Sequence, residues 1–294
     1  MIKLIFCALS LSLLLANQAL YAKEVTTSYN NHTLNAELLL AEGTSLADGI
    51  VLITHGTLAH NKMELISTLQ DLLVDSGISS LAINLSLGVD NRHGMYDCEI
   101  PHQHKHTDAL NEISTWIDWL KHKGAQDIFL MGHSRGGNQT AWFSANNPEK
   151  VRAQILLAPA TWNEQDEKRN YEQRYNQSLT EVLAKAKLID KDTWLENTGF
   201  IYCPKSTVTT ESFVNYYQPD KRFNTPYILN NIEVQTLVIS GSEDKTVAAL
   251  PEMMAQVSNA QVGHSIIEGA DHYFRDLYAD EVIDLLVEFL ENQK

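Results

Sequence analysis

The stretch Leu130-Met131-Gly132-His133-Ser134-Arg135-Gly136-Gly137 sets a serine between two glycines in the pattern G-x-S-x-G. The apolar run Asp127-Ile128-Phe129-Leu130-Met131 before it reads as a short buried strand. Asn138 to Asn147 after it reads as a helix that stops before Pro148. A strand that turns sharply into a helix needs small residues where the two backbones approach, which accounts for Gly132 and Gly136. Such a turn lifts the Ser134 hydroxyl clear of the sheet. It also leaves the backbone N–H of Arg135 at a helix N-terminus, where a developing oxyanion is stabilised. The competing reading is a glycine-rich turn with an incidental serine, and the strand-turn-helix setting favours the reactive one.

A serine hydroxyl needs a base near neutral pH, and the base needs an orienting carboxylate. Leu237-Val238-Ile239-Ser240-Gly241-Ser242-Glu243-Asp244 is an apolar strand running into a loop that ends in acids. Ser265-Ile266-Ile267-Glu268-Gly269-Ala270-Asp271-His272 is a second short strand ending in a loop histidine. The order Ser, Asp, His, each beyond a strand's C-terminal end, suits a parallel sheet that brings distant residues together. Asp244 is the expected orienter, with Glu243 its rival, and His272 is the expected base. Upstream, Gly49 to Thr54 is a continuous apolar strand followed by His55-Gly56-Thr57-Leu58. The second oxyanion donor is expected there, from the backbone N–H of Thr57 first and Leu58 second.

With His55-Gly56, Gly132 to Gly136, Gly241 to Asp244 and Gly269 to His272 in place, the chain resembles the α/β-hydrolase superfamily over nearly all its length after the first residues. The resemblance implies a mostly parallel central sheet with helices on both faces and a largely helical cap inserted after the sixth strand. It is specific for the fold and the nucleophile and says little about substrate, because one fold hosts many reactions.

Periodicity agrees with an α/β class. Val25 to Tyr29 and Thr33 to Ala41 read as opening strands around a polar turn, and Ile78 to Leu85 and Val151 to Ala158 as further strands. Leu65, Ile66, Leu69, Leu72 and Leu73 recur at helical spacing, as do Leu110, Ile113, Trp116, Ile117 and Leu120, and the last helix carries Ile283 to Leu290. Two stretches break this rhythm. Leu87 to Thr107 has no regular period and holds His93, Cys98, His102, His104 and His106. Alternating histidines over 101–106 admit a metal-site reading, but no carboxylate or cysteine is spaced to complete it. The plainer reading is a loop lining the mouth of the site, from which Arg92 or Asp97 could reach substrate, with no role assigned to either. The second stretch, residues 160–230, is the expected cap; its aromatics pack its own small core, and Trp162, next to a strand end, is the expected pocket wall. Leu58 and His133, beside the expected oxyanion donor and the serine, are expected to border the substrate as well.

The start of the chain, Met1-Ile2-Lys3 followed by the apolar run Leu4 to Leu15 and the small residues to Ala22, reads as a signal peptide over residues 1–22, with a hydrolase domain over 23–294. The apolar run is shorter than the ~20 residues a spanning helix needs, so no lasting membrane insertion is expected after cleavage near Ala22, or near Ala19. That address is periplasmic or secreted. Cys98 and Cys203 then remain as an even pair in an oxidising compartment and are expected to form a disulfide. The formal net charge of −15 argues against nucleic-acid binding, which wants a basic footprint.

The expectation is an exported serine hydrolase cleaving an ester or related acyl bond of a small molecule, with no cofactor and no metal. An acyltransferase or a peptidase would use the same three residues. A non-catalytic ligand-binding descendant of the fold is the alternative from another class.

Overall fold

The structure, a computed structural model, describes residues 22–293. The expected signal peptide lies outside the described residues except for Ala22.

The chain opens with strands β1 (Lys23–Tyr29) and β2 (His32–Leu39), an antiparallel pair. Their link is Asn30-Asn31, both at positive φ (47° and 62°), a backbone that asparagine tolerates and that matches strand twist. Then come β3 (Ile50–Thr54), α1 (Glu64–Asp75), β4 (Ser80–Asn84), α2 (Asp108–His122), β5 (Ile128–His133), α3 (Arg135–Asn146) and β6 (Ala153–Leu157). After a long excursion the chain returns with β9 (Thr236–Gly241), α8 (Leu250–Met254), β10 (Val262–Ile267) and α9 (Leu277–Glu291), the intervening elements being described below.

The eight-stranded sheet has the order β1-β2-β4-β3-β5-β6-β9-β10. From β4 onward every neighbouring pair runs parallel. β3, β4 and β6 are buried at every position, as strands covered on both faces must be, which is why they are mostly apolar, with the buried Ser80 and Gln154 hydrogen-bonded to Gln70 and Thr236. α1 packs beside α9, and α2 beside α3. Their apolar stripes, including Leu69 and Leu73, Trp116 and Leu120, and Leu286, join one core with the strands. The order of the sheet reverses at β3: the chain moves from β3 outward to β4, then crosses to β5 on the other side. Loops leaving the C-terminal ends of β3 and β5 therefore part company and open a crevice between them.

Between β6 and β9 lie α4 (Glu164–Tyr175), α5 (Leu179–Ala186), β7 (Trp194–Phe200), β8 (Cys203–Thr209), α6 (Thr210–Tyr217) and α7 (Thr225–Leu229). Asn163, Ser178 and Thr209 cap α4, α5 and α6 by accepting backbone N–H bonds. The hairpin β7–β8 adds to the largely helical character expected here. β7 is polar and irregular, Trp-Leu-Glu-Asn-Thr-Gly-Phe, with register shifts along its length, so no alternation announces it. This region has its own apolar cluster, in which Tyr171, Phe200, Phe213, Tyr216 and Tyr217 pack with Leu58 and Tyr96 from the sheet loops.

The irregular stretch 87–107 is pinned to that cluster. Cys98 and Cys203 form a disulfide across 105 positions, and His102 exchanges backbone hydrogen bonds with Thr207 and Thr209 on β8 (2.8 and 3.0 Å). Arg92 turns inward. It donates to the carbonyls of Leu85, Ala59 and Gly94, to Asn84 Oδ1 (2.7 Å) and to His55 Nε2 (3.2 Å). It therefore does not reach substrate: every arm of the guanidinium is consumed inside the fold. His102, His104 and His106 are buried to within 1 % of their surface; His102 stacks on Tyr96, and the three pack edge-on against Phe200, Tyr216 and Phe223. His102 Nδ1 lies 3.1 Å from His104 Nε2, and His104 Nδ1 lies 2.9 Å from the Tyr216 hydroxyl. Among the described residues no group of three or more His, Cys, Asp or Glu side chains is arranged to hold a metal ion, and no helix is long and apolar enough to cross a membrane.

Two predictions follow from these ties. Replacing Cys98 and Cys203 by serine removes a long closed loop from the unfolded chain and is expected to cost about 4–5 kcal/mol in the chain-entropy account, read as a lowered denaturation midpoint relative to the oxidised protein. The second concerns acid. Burial holds His102 down to about 4 and His55 and His133 down to about 3, and holds His104 and His106 well below the ordinary range. The unfolded chain therefore binds protons below about pH 6.5 that the folded chain refuses. Each such histidine contributes stability that is complete above that pH and falls by up to about 1.4 kcal/mol per pH unit below it. His60 and His264 are lowered by burial as well; Glu112, pushed up to about 7 by burial, works in the opposite direction between about 4.5 and 7, as do the raised Asp108 and Glu167, three groups against seven. The melting temperature is expected to drop from pH 7.5 to pH 5.5, and a flat or rising profile would contradict this account.

Candidate active site

Ser134 caps α3 at φ 56° and ψ −122°, a region a residue with a side chain rarely occupies and that costs on the order of 1–3 kcal/mol. The surrounding backbone imposes it. Ser134 N donates to Leu157 O on β6 (3.0 Å), and its carbonyl accepts from Asn138 N and Ala160 N (3.2 and 2.9 Å). A Cβ on Gly132 would stand 2.5 Å from Gly136 O and Thr140 Oγ1, and one on Gly136 would collide with the carbonyls of Thr54 and His55 at the end of β3. The two glycines let β5, α3 and the β3 loop meet with no intervening side chain. α3 begins at Arg135, earlier than the sequence suggests, because this packing overrides the low helix propensity of Gly136-Gly137.

The loops after β9 and β10 bring their residues to the same point. His272 Nε2 lies 3.0 Å from Ser134 Oγ, and His272 Nδ1 lies 2.7 Å from Asp244 Oδ2. A carboxylate only accepts, so Nδ1 carries the proton and Nε2 is left to accept from the serine hydroxyl. Asp244 Oδ1 accepts from the backbone N–H groups of Thr246 and Val247 (2.7 and 3.0 Å). Burial alone would raise the Asp244 carboxyl. The hydrogen bonds from His272, Val247 and Thr246 outweigh it and hold the group below the usual range. Glu243 is exposed, and Asp271 pairs with Arg275 (3.0 Å), so neither faces His272.

On the other side of Ser134 the loop after β3 carries Thr57 and Leu58, the latter at φ 55°. Among the described residues the backbone N–H groups of Thr57, Leu58 and Arg135 find no acceptor within the protein. His55 holds this loop, with Nδ1 donating to Gly56 O (2.9 Å) and Nε2 accepting from Leu85 N (3.1 Å).

Two cavities meet at Ser134. One, about 440 Å³, is bordered by Leu58, Met63, Met95, Tyr96 and His272. The other, about 190 Å³, is bordered by Arg135, Trp162, Glu167, Arg174 and Tyr216. Thr57, Tyr202 and Thr246 line both. Leu58 and Trp162 thus stand on opposite sides of the serine. His133 also borders the larger cavity, and its buried Nε2 donates to the His272 carbonyl (2.9 Å), which steadies the base. A larger cleft of about 480 Å³, between Lys105, α5 and α6, includes none of Ser134, Asp244 and His272. Sequence reasoning missed Tyr202, Thr246, Glu167 and the Arg135 side chain, which come together from separate loops with no motif to flag them.

The sequence profile of the family described as serine aminopeptidase, S33, matches residues 45–275. No curated protein matches the chain by sequence. Among solved structures, Est1E from Butyrivibrio proteoclasticus with ferulic acid bound is similar at 18% identity and a TM-score of 0.67, covering 92% of this chain and 98% of that one. A monoacylglycerol lipase from Paleococcus ferrophilus is similar at 17% identity and a TM-score of 0.61, covering 89% and 99%. The esterase Pf2001 from Pyrococcus furiosus is similar at 17% identity and a TM-score of 0.59, covering 93% and 90%. At such identities these likenesses speak for the fold.

Proposed function

The chain belongs to the serine aminopeptidase S33 family of α/β-hydrolases, and from that premise we propose that it is an exported serine esterase cleaving a small-molecule acyl ester through Ser134, His272 and Asp244. The observation that carries this reading is the continuous path from Asp244 Oδ2 through His272 to Ser134 Oγ, at 2.7 and 3.0 Å. His272 takes the serine proton as Oγ attacks the ester carbonyl, and Asp244 holds the ring in the required tautomer and stabilises the imidazolium. The N–H groups of Arg135 and Thr57, with Leu58 the alternative to Thr57, receive the oxyanion. His272 then gives its proton to the departing alcohol. Water, activated by the same histidine, releases the acid and restores Ser134. None of these steps calls for a metal or an organic cofactor.

Residues 160–230 act as a cap in this reading, since α4, the β7–β8 turn and α6 supply walls to the cavity beside Ser134. Export rests on the leader-like pattern over residues 1–22 and accords with the Cys98–Cys203 disulfide. A peptidase reading would follow the family's description most literally. An aminopeptidase places a free α-ammonium on the acyl side of the scissile bond, and there it would meet the guanidinium groups of Arg135 and Arg174 with Glu167 the one carboxyl lining that cavity, two positive charges against at most one negative. That favours an ester over a peptide with a free N-terminus.

A fluorophosphonate probe is expected to add once to the wild type and not to Ser134→Ala. Ester turnover is expected to fall by at least about 10⁴-fold in Ser134→Ala and by about 10³–10⁴-fold in Asp244→Asn. Undiminished turnover by folded Ser134→Ala would overturn the assignment.

A further inference from the structure

The two cavities at Ser134 differ in chemistry, and the mechanism assigns each a half of the substrate. The departing alcohol must receive a proton from His272, so it lies on the His272 side. That is the cavity of about 440 Å³, whose walls include Leu58, Met63 and Met95. The acyl half then occupies the cavity of about 190 Å³, which His272 does not line. This volume is below the ~300–1,000 Å³ usual for small-molecule sites, so it suits a short acyl group.

The floor of that smaller cavity holds an arginine that the protein leaves without a counter-ion. Arg152, Arg169, Arg222 and Arg275 each face an aspartate, and Arg92 is saturated by carbonyls. Arg135 has no carboxylate within ion-pair distance among the described residues. Its Nε donates to Thr57 Oγ1 (2.9 Å), its Nη1 approaches His106 Nδ1 (3.4 Å), and its plane lies 5.4 Å from the centre of the Tyr216 ring. These contacts orient the group and leave its charge unmatched, with Nη2 finding no protein acceptor. His106 accepts at Nδ1, so it is the neutral tautomer and brings no second charge. Arg174 borders the same cavity, stacked 4.4 Å over Tyr202, and Glu167 is the carboxyl opposite them. Burial pushes Glu167 up, against the pull of Arg135 and Arg174. Even fully ionised, Glu167 offsets one of the two arginines, so the cavity keeps a surplus positive charge in a chain whose formal net charge is −15.

Building on the esterase reading above, we infer that the Arg135 guanidinium selects the acyl half of the substrate by charge: the ester carries a short acyl group ending in a carboxylate, joined to an apolar alcohol. A planar guanidinium with a free edge is suited to a carboxylate, which it can meet with charge-assisted hydrogen bonds. Hydrolysis of such a half-ester breaks the ester C–O bond and consumes one water. It releases the alcohol and a dicarboxylate, and one proton passes to solvent.

The test compares benzyl hydrogen glutarate with benzyl methyl glutarate and benzyl valerate by the release of benzyl alcohol, on protein whose Ser134 reactivity is measured in parallel with a fluorophosphonate. The acid is expected to exceed the neutral esters in kcat/KM by about tenfold or more, the worth of one charged hydrogen bond. That ratio is expected to collapse in Arg135→Met, to survive in part in Arg135→Lys, and to rise in Glu167→Gln. Equal turnover of acid and neutral esters by fluorophosphonate-reactive wild type would overturn the inference and leave the esterase reading standing. So would a ratio that persists in Arg135→Met. If that variant does not fold, Arg135→Lys decides: a reduced ratio supports the inference and an unchanged ratio overturns it. Absence of both the adduct and any turnover would overturn the esterase reading, and this inference with it.

Discussion

The contact on which the rest of the site depends is the approach of Gly136 to the Thr54 and His55 carbonyls, backbone against backbone where the first turn of α3 meets the end of β3. It forces the turn that puts Ser134 at φ 56° and starts α3 one residue later. A side chain there would push α3 off the β3 loop and separate Ser134 from Thr57. The strain at Ser134 is met by Leu157, Asn138 and Ala160, whose backbones leave the serine no other orientation. Everything else, including the arrival of His272 from β10 and of Asp244 from β9, is arranged around that fixed hydroxyl.

Support for the site extends one layer back, through polar groups buried for position. His133 tethers the His272 carbonyl, His55 bridges the β3 and β4 loops, and Arg92 gathers carbonyls from the segments behind the oxyanion loop. Burial keeps His55 and His133 neutral, while Arg92 stays charged although burial lowers it to about 10. Such groups cost desolvation, and the hydrogen bonds they make hold loops that have no apolar anchor of their own. The histidines at 102, 104 and 106 do the same work for the stretch 87–107. They face inward among aromatics, where an imidazole fills space like a ring and still satisfies a neighbour's polar atom.

The environment of Ser134 is two-sided. Toward His272 the walls are thioether, aliphatic and aromatic; toward α4 they are tyrosine, arginine and one raised glutamate. An enzyme of this kind discriminates by what each half of the transition state meets, so the asymmetry bears on substrate choice more directly than fold likeness does. Arg135 sits at the hinge of this arrangement: its backbone belongs to the elbow and its side chain to the acyl-side wall.

The alternation of apolar strands with amphipathic helices determined the α/β class, because periodicity is a local property that burial on one face or two imprints directly on the chain. The same local logic marked the elbow, since only glycine suits those close approaches, and it pointed to the loops after β9 and β10 as places to look for a base and an acid. Which carboxylate meets His272, Asp244 in place of the adjacent Glu243, depended on a loop whose turn is set by Thr246 and Val247 N–H bonds. That Arg92 turns to the core, that the alternating histidines pack among aromatic rings, and that β7 pairs with β8 were likewise decided by tertiary contacts. These outcomes join residues far apart in the chain, with no period to connect them. A sequence records the propensities of each segment, and the partner that satisfies a buried polar group exists only once the chain has folded around it.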